Sequence, residues 1–306
     1  MDSHTSTHDA VADARNDNIL IYVDGSLVHR DEARVSVYDS GFMLGDGVWE
    51  GLRLYDGHIP FLDDHLDRLY EAALYIALDI GLSREALTQA IWDTLRANEM
   101  ETDVHIRLMV TRGRKRKPIQ HPHLSIYGPT IVIIAEHSKP DEAVVKKGIR
   151  LQTVPHHRGL PLTQDAKLNS HSKLNCIIAL NHAIQSGADE ALMLDPFGFV
   201  NTTNACNFFI VRRGEVWTST GDYCMNGITR QKVIDVCREA EIPIFERNYS
   251  LVDTCSADEA FLTGTFGAQT PVFEIDGRRI GDGVPGPLFK RIRSLYKEMI
   301  ERDANR

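Results

Sequence analysis

The sequence has few cysteines, no excess of basic residues and no long apolar run. Its five cysteines are odd in number and include no CxxC pair, which argues against a disulfide framework or a zinc site and predicts free thiols. Lys and Arg number 34 against 43 Asp and Glu, so the net charge of -9 argues against general nucleic-acid binding. No run approaches the ~20 apolar residues of a spanning helix, and the polar N-terminus lacks a signal-peptide pattern. These absences predict a soluble cytoplasmic protein.

The length and the composition predict a two-domain globular chain. The 306 residues are 42% hydrophobic and 25% charged, and one domain typically takes roughly 100–200 residues. A polar stretch with a proline, 137–142, is typical of a linker. We therefore expect a flexible N-terminal tail over 1–18, a small α/β domain over 19–136, the linker, and a large domain over 143–306.

Helical and strand patterns are mixed along the whole chain. An apolar run over 19–23 continues through Asp24-Gly25 into 27–28, which predicts a β-hairpin. Apolar residues at helical spacing predict helices over 59–77 and 84–98. Short strands and helices alternate beyond the linker without a repeat of fixed period. This mixture favours an α+β fold over a doubly wound sheet or a repeat protein.

Two stretches of small and hydroxyl residues lie at the ends of predicted elements. Met225 to Arg230 precedes a predicted helix, so the backbone N–H groups of Gly227, Ile228 and Thr229 would face an anion beyond the helix end. The second stretch, 263–268, follows a predicted strand and offers a hydroxyl together with close backbone approach. Each stretch alone is more typical of an ordinary helix cap or turn than of a ligand site.

The order of several motifs is more specific than any one of them. In chain order they are Gly41-Phe42-Met43-Leu44-Gly45-Asp46-Gly47-Val48-Trp49-Glu50, His65-Leu66-Asp67-Arg68-Leu69, Gly187-Ala188-Asp189-Glu190-Ala191, Asn207-Phe208-Phe209, Gly227-Ile228-Thr229-Arg230 and Ala257-Asp258-Glu259-Ala260-Phe261, followed by Thr263-Gly264-Thr265 and Thr270-Pro271-Val272. Over residues 19–300 the chain resembles the class IV aminotransferases, the branched-chain and D-amino-acid aminotransferase family. The resemblance implies the two-domain α+β fold type IV of pyridoxal-phosphate enzymes, with the cofactor bound by the large domain.

The resemblance assigns the residues that hold the cofactor phosphate. Arg68 matches the family's phosphate arginine, whose rigid guanidinium suits a dianion better than a lysine would. Ile228 and Thr229, preceded by Gly227, match the backbone and hydroxyl donors, and Thr265 matches a second hydroxyl donor.

The resemblance also places two residues near the substrate. Arg107 matches a position on the substrate side, and Phe42 lies in the first motif and is placed with it. A strand arginine such as Arg107 could equally form an ordinary surface pair.

One departure from the family concerns the pyridine ring of the cofactor. Family members place an acidic residue at the ring nitrogen, and counting back from Asn207-Phe208 puts Thr202 at that position. A carboxylate keeps the nitrogen protonated, so that the ring accepts negative charge, whereas a hydroxyl leaves it largely neutral. Thr202 therefore predicts slower transamination and makes lyase chemistry a real alternative.

A second departure concerns the lysine that binds the cofactor covalently. Counting forward from Gly148 and backward from Ala179 both place Asn169 at the family's lysine position. Lys167 lies two residues earlier and Lys173 four residues later, so either side chain could span the gap of about 6 Å. The catalytic lysine is therefore Lys173 or Lys167, or neither of them.

The residues and the resemblance together imply a pyridoxal 5'-phosphate-dependent aminotransferase. It would move an amino group between an amino acid or amine and a 2-oxo acid, with the lysine carrying the proton. One alternative is a lyase of the aminodeoxychorismate lyase type, and another is a weakly active cofactor-binding protein that has lost the lysine. The resemblance implies a homodimer, and the histidine spacings give no reason to expect a metal.

Overall fold

The computed structural model describes residues 5–305, which form two compact units. The large unit contains residues 5–10, 140–168 and 174–305, and the small unit contains residues 11–139 and 169–173. The chain thus leaves the small unit between Lys139 and Pro140, inside the predicted linker over 137–142. Unlike the predicted division, the small unit also includes 169–173.

The small unit is built on a five-stranded antiparallel sheet with the order β2-β1-β5-β4-β3. Its elements are β1 Leu20–Val23, β2 Ser26–His29, α1 Ser40–Leu44, β3 Gly47–Leu54, α2 Leu62–Tyr75, α3 Arg84–Ala97, β4 Val104–Thr111 and β5 Thr130–His137, with 3-10 turns at Ala14–Asn18 and Pro122–Leu124. The predicted hairpin is present, because Asp24 and Gly25 take positive φ between β1 and β2. Both predicted helices are also present, with ends that differ from the expected ones by at most three residues.

Helix α3 shows why the sequence folds as it does in the small unit. The Ser83 side chain accepts a hydrogen bond from Ala86 N, which caps the first turn of the helix. Leu87, Ile91 and Leu95 recur every four residues and are at most 1% exposed, so they form one buried stripe.

The large unit is built on a nine-stranded mixed sheet. Its elements are α4 Glu142–Lys147, β6 Ile149–Thr153, α5 Leu174–Gln185, β7 Glu190–Leu194, β8 Val200–Thr203, β9 Asn207–Arg212, β10 Glu215–Thr218, α6 Ile228–Glu239, β11 Ile244–Glu246, α7 Leu251–Cys255, β12 Glu259–Gly264, β13 Ala268–Ile275, β14 Arg278–Arg279 and α8 Pro287–Ala304. The strand order is β11-β10-β9-β12-β13-β6-β7-β8, and β14 pairs with β13. Strand β8 also pairs with β9, so six strands form a closed circuit that brings Thr202 opposite Asn207.

The N-terminal segment differs from the predicted flexible tail over 1–18. Thr5 and Thr7 are buried, Ala10 forms a β-bridge with Pro140, and 14–18 form a 3-10 turn. The physical reason is that the polar groups of this segment find buried carboxylates of the large unit as partners. The first four residues of the predicted tail lie outside the described residues.

Two further expectations concern the cysteines and the absence of a membrane-spanning helix. All five cysteines are free thiols, and four of them are buried. Within residues 5–305, no helix has the length and apolar character needed to cross a membrane.

Candidate active site

The first turn of α6 carries backbone donors without acceptors. Gly227 is the N-cap residue and provides no side-chain oxygen, and Gln231 is the first residue whose N–H bonds back to the cap, at Gly227 O. The N–H groups of Ile228, Thr229 and Arg230 have no acceptor among residues 5–305. Unpaired N–H groups and the positive end of the helix dipole favour an anion at this position.

The side chain of Thr229 adds a hydroxyl to these donors. Thr229 is only 4% exposed, and it follows Gly227, the N-cap, by two residues. Its hydroxyl therefore lies in the same first turn as the unpaired N–H groups and can donate to the same anion. The turn between β12 and β13 contributes Thr265, whose half-buried hydroxyl has no partner in the part of the chain that is described.

Asn207 connects the strands to the start of α6. It lies opposite Thr202 on β8 and opposite Thr263 on β12, and its Nδ2 donates to Met225 O at 3.1 Å. A Cβ at position 227 would lie 2.1 Å from Asn207 Oδ1, so this approach requires glycine. Asn207 therefore fixes the segment that leads into the helix, a role that the sequence motif alone did not reveal.

Thr202 is buried in β8, and its hydroxyl proton already takes part in a hydrogen bond. Its Oγ1 donates to Cys206 O at 2.6 Å, and the residue is 4% exposed. Because a hydroxyl has one proton, the oxygen offers only lone pairs to any further partner. Thr202 can therefore accept a hydrogen bond from a protonated ring nitrogen but cannot donate one without breaking its own bond.

In the small unit, Arg68 is oriented by a buried carboxylate. Its Nε and one terminal nitrogen donate to Glu50 at 2.7 and 2.6 Å, and His65 Nδ1 donates to the same carboxylate at 2.7 Å. Glu50 is completely buried. Burial opposes ionisation of Glu50, but the charge of Arg68 and the hydrogen bonds from His65 and Arg68 outweigh it and lower the pKa of Glu50. The plane of the Arg68 guanidinium is thereby held in a fixed orientation.

Arg107 lies on β4 in contact with an aromatic ring. Its guanidinium carbon is 3.8 Å from the centre of the Trp49 ring. The side chain has neither an ion pair nor a hydrogen bond with another described residue. Burial lowers the pKa of Arg107, since no anion offsets the desolvation of its charge. A half-buried cation of this kind is suited to binding a carboxylate.

The two candidate lysines have different surroundings. Lys167 is exposed in a turn of the large unit, where its N–H donates to Asp165, and its amine has no partner among residues 5–305. Lys173 is half-buried, with Nζ 5.8 Å from the centre of the Trp49 ring. Asn169 is 2% exposed and donates to Trp49 O at 2.6 Å, and its amide nitrogen is not nucleophilic.

The structure places the predicted residues in two groups. The large unit contains Thr202, Gly227, Ile228, Thr229, Thr265 and Lys167, and the small unit contains Phe42, Arg68, Arg107 and Lys173. Phe42 is 72% exposed on α1 and contributes nothing to the buried ion pair. Sequence analysis missed the roles of four residues that lie within the motifs, because these roles depend on partners distant in sequence. The four are Trp49, Glu50, His65 and Asn207. Within the described residues, no group of three or more His, Cys, Asp or Glu could hold a metal.

A family model and individual relatives match this chain over most of its length. The model "Amino-transferase class IV" matches residues 47–275. A branched-chain-amino-acid aminotransferase-like protein of Arabidopsis thaliana is 40% identical over 94% of this chain, and a putative branched-chain-amino-acid aminotransferase of Methanocaldococcus jannaschii is 38% identical over 91% of this chain and 96% of its own length. The solved branched-chain amino acid aminotransferase of Thermobaculum terrenum, in its PLP-bound holo form, is 25% identical, with a TM-score of 0.83 over 94% of this chain and 95% of that one.

The chain belongs to the class IV aminotransferase family. The predicted family and the α+β fold type IV are thereby confirmed. The chain spans about half the length, 51%, of the Arabidopsis relative that it matches.

The residues present fit the cofactor that the family implies. The unpaired N–H groups at α6 and the Thr229 hydroxyl form a cradle of donors, as a phosphate needs, and the glycine required at position 227 keeps the turn free of a Cβ. Thr202 offers lone pairs in the same unit, on the strand that pairs with Asn207.

Proposed function

We propose that this protein is a pyridoxal 5'-phosphate-dependent aminotransferase that moves an amino group between an amino acid or amine and a 2-oxo acid. The observation that carries the proposal is the unsatisfied first turn of α6, with the hydroxyl of Thr229 in the same turn. Family membership supports it, and the branched-chain names of the relatives make branched-chain amino acids the first substrates to assay.

Several residues of this chain would bind the cofactor phosphate together. Ile228 and Thr229 bind the phosphate through N–H groups and the hydroxyl, with Thr265 as a further hydroxyl donor. Arg68, held by Glu50, supplies positive charge to the same dianion. When bound, the cofactor supplies an aldehyde that takes up the amino group and a ring that accepts negative charge.

We propose Lys167 as the lysine that binds the cofactor and carries the proton, with Lys173 as the alternative. Lys167 shares the large unit with the phosphate cradle, so one compact unit would fix both ends of the cofactor. Its amine also has no partner among residues 5–305, whereas the amine of Lys173 lies over the Trp49 ring.

Arg107 is proposed to bind a carboxylate of the substrate. Its charge is partly desolvated, and no described anion neutralises it. The Trp49 ring holds the guanidinium on one side, so the plane of donors is presented to a planar carboxylate.

A second candidate function is a lyase reaction with the same cofactor. Thr202 favours it, because a neutral hydroxyl stabilises a protonated ring less than a carboxylate does. A lyase of the aminodeoxychorismate lyase type would release pyruvate without an amino acceptor. Assaying both products on the same preparation separates the two reactions, and a protein that binds the cofactor without either product would be the weakly active homologue.

The phosphate assignment is tested by comparing Arg68→Ala with Arg84→Ala. Arg84 is a suitable control because its ion pair with Asp67 is exposed. Loss of charge-assisted hydrogen bonds should weaken pyridoxal phosphate binding roughly 10- to 100-fold for Arg68→Ala, and Arg84→Ala should bind like the wild type. Full cofactor occupancy of Arg68→Ala after dialysis would refute the assignment.

We also propose that the chain acts as a homodimer in the cytoplasm. Val37 and Phe42 expose 69% and 72% of their surface on the small unit, which leaves apolar area available to a second copy. Sedimentation of the holoenzyme measures the oligomeric state, and a monomer at assay concentration would contradict the dimer.

A further inference from the structure

The segment Thr5–Ala10, called the strap below, is anchored to two consecutive buried acidic residues. Thr5 N donates to Asp189 Oδ1 at 3.0 Å, and Thr7 N and Thr7 Oγ1 donate to Glu190 Oε1 at 3.1 and 2.5 Å. Glu190 is 2% exposed and forms no ion pair with a described residue, and its other oxygen accepts from the Thr203 hydroxyl. The strap therefore provides two of the hydrogen bonds that satisfy a buried carboxylate.

The strap is also held along its length. Lys147 Nζ donates to Thr5 Oγ1 at 2.6 Å, and Asp141 N donates to Asp9 O at 3.1 Å. Ala10 then forms its bridge with Pro140. Contacts at both ends fix the position of the residues between them.

Between these anchors, the strap contacts the turn that carries Thr265. The His8 ring stacks on the Phe266 ring, with centres 5.9 Å apart and planes 17° apart. A Cβ built on Gly267 would lie 3.2 Å from Thr7 O, so the backbones of the strap and the turn are close.

The turn needs such support because its backbone is strained. Ala268, the first residue after the turn, has a φ of +52°. The left-handed region is unfavourable for a residue with a Cβ, and such a conformation persists where the surrounding contacts determine it. His8 and Thr7 provide contacts of this kind on the side of Phe266 and Gly267.

We propose that the strap is a positioning element for the cofactor phosphate, and that His8 and Thr7 hold the Thr265 hydroxyl where the phosphate needs it. This inference rests on the proposed function, because it assumes that Thr265 binds the phosphate. The strap acts through its contacts with the turn that carries Thr265. Its effect is therefore expected on phosphate binding and not on the chemistry.

The test compares pyridoxal phosphate with pyridoxal, which lacks the phosphate. In His8→Ala, affinity for pyridoxal phosphate should fall about two- to tenfold, the range expected for loss of one ring stack, and affinity for pyridoxal should not change. A chain that begins at Ala10 should show a larger loss with the same selectivity. A chain that lacks only residues 1–4 keeps the strap and serves as the control.

Each outcome of these binding measurements either supports or overturns the positioning role of the strap. Equal losses for the two ligands, or no loss in His8→Ala, would overturn the proposal, because the strap would then act on general stability or not at all. If the chain that begins at Ala10 does not fold, His8→Ala still gives the answer, since it leaves the bonds to Asp189 and Glu190 intact. A wild-type chain that binds neither ligand would refute the proposed function instead.

Discussion

The start of α6 in the large unit and two arginines of the small unit both present donors suited to anions, but they are built differently. At α6 the donors are backbone N–H groups and hydroxyls, and no charged side chain is needed to orient them. In the small unit the donors are guanidinium groups, each fixed by a specific neighbour: Arg68 by Glu50 and Arg107 by Trp49. The first site follows from local chain geometry, whereas the second depends on pairs that are distant in sequence.

This difference explains how far the sequence could be interpreted. The Gly-Ile-Thr segment predicts an anion cradle because a helix start always leaves N–H groups unpaired, and the structure has those groups free of described acceptors. The burial of Glu50 could not be predicted, since a lone carboxylate in a strand normally faces solvent. Only the fold brings His65 and Arg68 to it.

Strand β3 and the strap were missed for the same reason. Gly47–Leu54 contains two glycines and two charged residues, so it lacks the apolar alternation of a strand, yet nearly all of it is buried. The polar N-terminal segment has the composition of a tail, and the buried Asp189 and Glu190 that anchor it lie more than 180 residues away. Polar residues whose partners are remote carry no local signal.

The largest expected effect separates the two lysines, one in each unit. Lys167→Ala should lower turnover by roughly 10²–10⁴-fold, because the amine both binds the cofactor and transfers the proton. Lys173→Ala is the matched control and should lose much less. Borohydride reduction followed by peptide mapping identifies the modified lysine independently of rate. A pyridoxyl group on Lys173 would reverse the assignment, and none on either lysine would favour the weakly active homologue.

The second-largest expected effect is a loss of stability, which tests whether Glu50 stabilises the small unit. Glu50→Gln should lower the free energy of unfolding at neutral pH by about 3 kcal/mol, since it leaves Arg68 beside a neutral group in a buried site. Asp67→Asn breaks the exposed pair with Arg84 and should cost less than about 1 kcal/mol. Urea unfolding of the three proteins measures both differences.

The same pair gives a pH dependence with a defined sign. The pKa of Glu50 is lowered from its ordinary value of 4.5, so its contribution is complete above that pH and is lost as the pH falls through the folded-state pKa. The wild type should therefore lose more stability on acidification below about pH 4.5 than Glu50→Gln does. Parallel acid profiles of the two proteins would show that Glu50 is not charged in the folded state.

A third effect sharpens the contrast between the arginines. Arg107→Met should raise the KM for the carboxylate substrate roughly 10- to 100-fold, because a charge-assisted pair is lost. Arg114 makes a similar stack, 3.9 Å over the Tyr127 ring, but it is exposed. Arg114→Met should therefore leave KM unchanged. Equal KM values for wild type and Arg107→Met would show that stacking on Trp49 is the arginine's only role.

The smallest effect concerns Thr202, the residue of the large unit that we propose for the cofactor ring nitrogen. Thr202→Val removes one hydrogen bond that a neutral hydroxyl accepts, so turnover should fall only about two- to tenfold. Folding should be little affected, because Cys206 O still accepts from Thr203 N at 2.9 Å and from the Thr203 hydroxyl at 3.1 Å. Thr202→Ser keeps the hydroxyl and should behave like the wild type.

An analogue of the cofactor with carbon in place of the ring nitrogen separates a role at the ring from a role in packing. If Thr202 accepts a hydrogen bond from that nitrogen, Thr202→Val and wild type should turn over at the same rate once both carry the analogue, since neither then has a bond to lose. A two- to tenfold difference that persists with the analogue would place the function of Thr202 in its bond to Cys206 O. The alignment of this strand with the ring nitrogen would then be wrong.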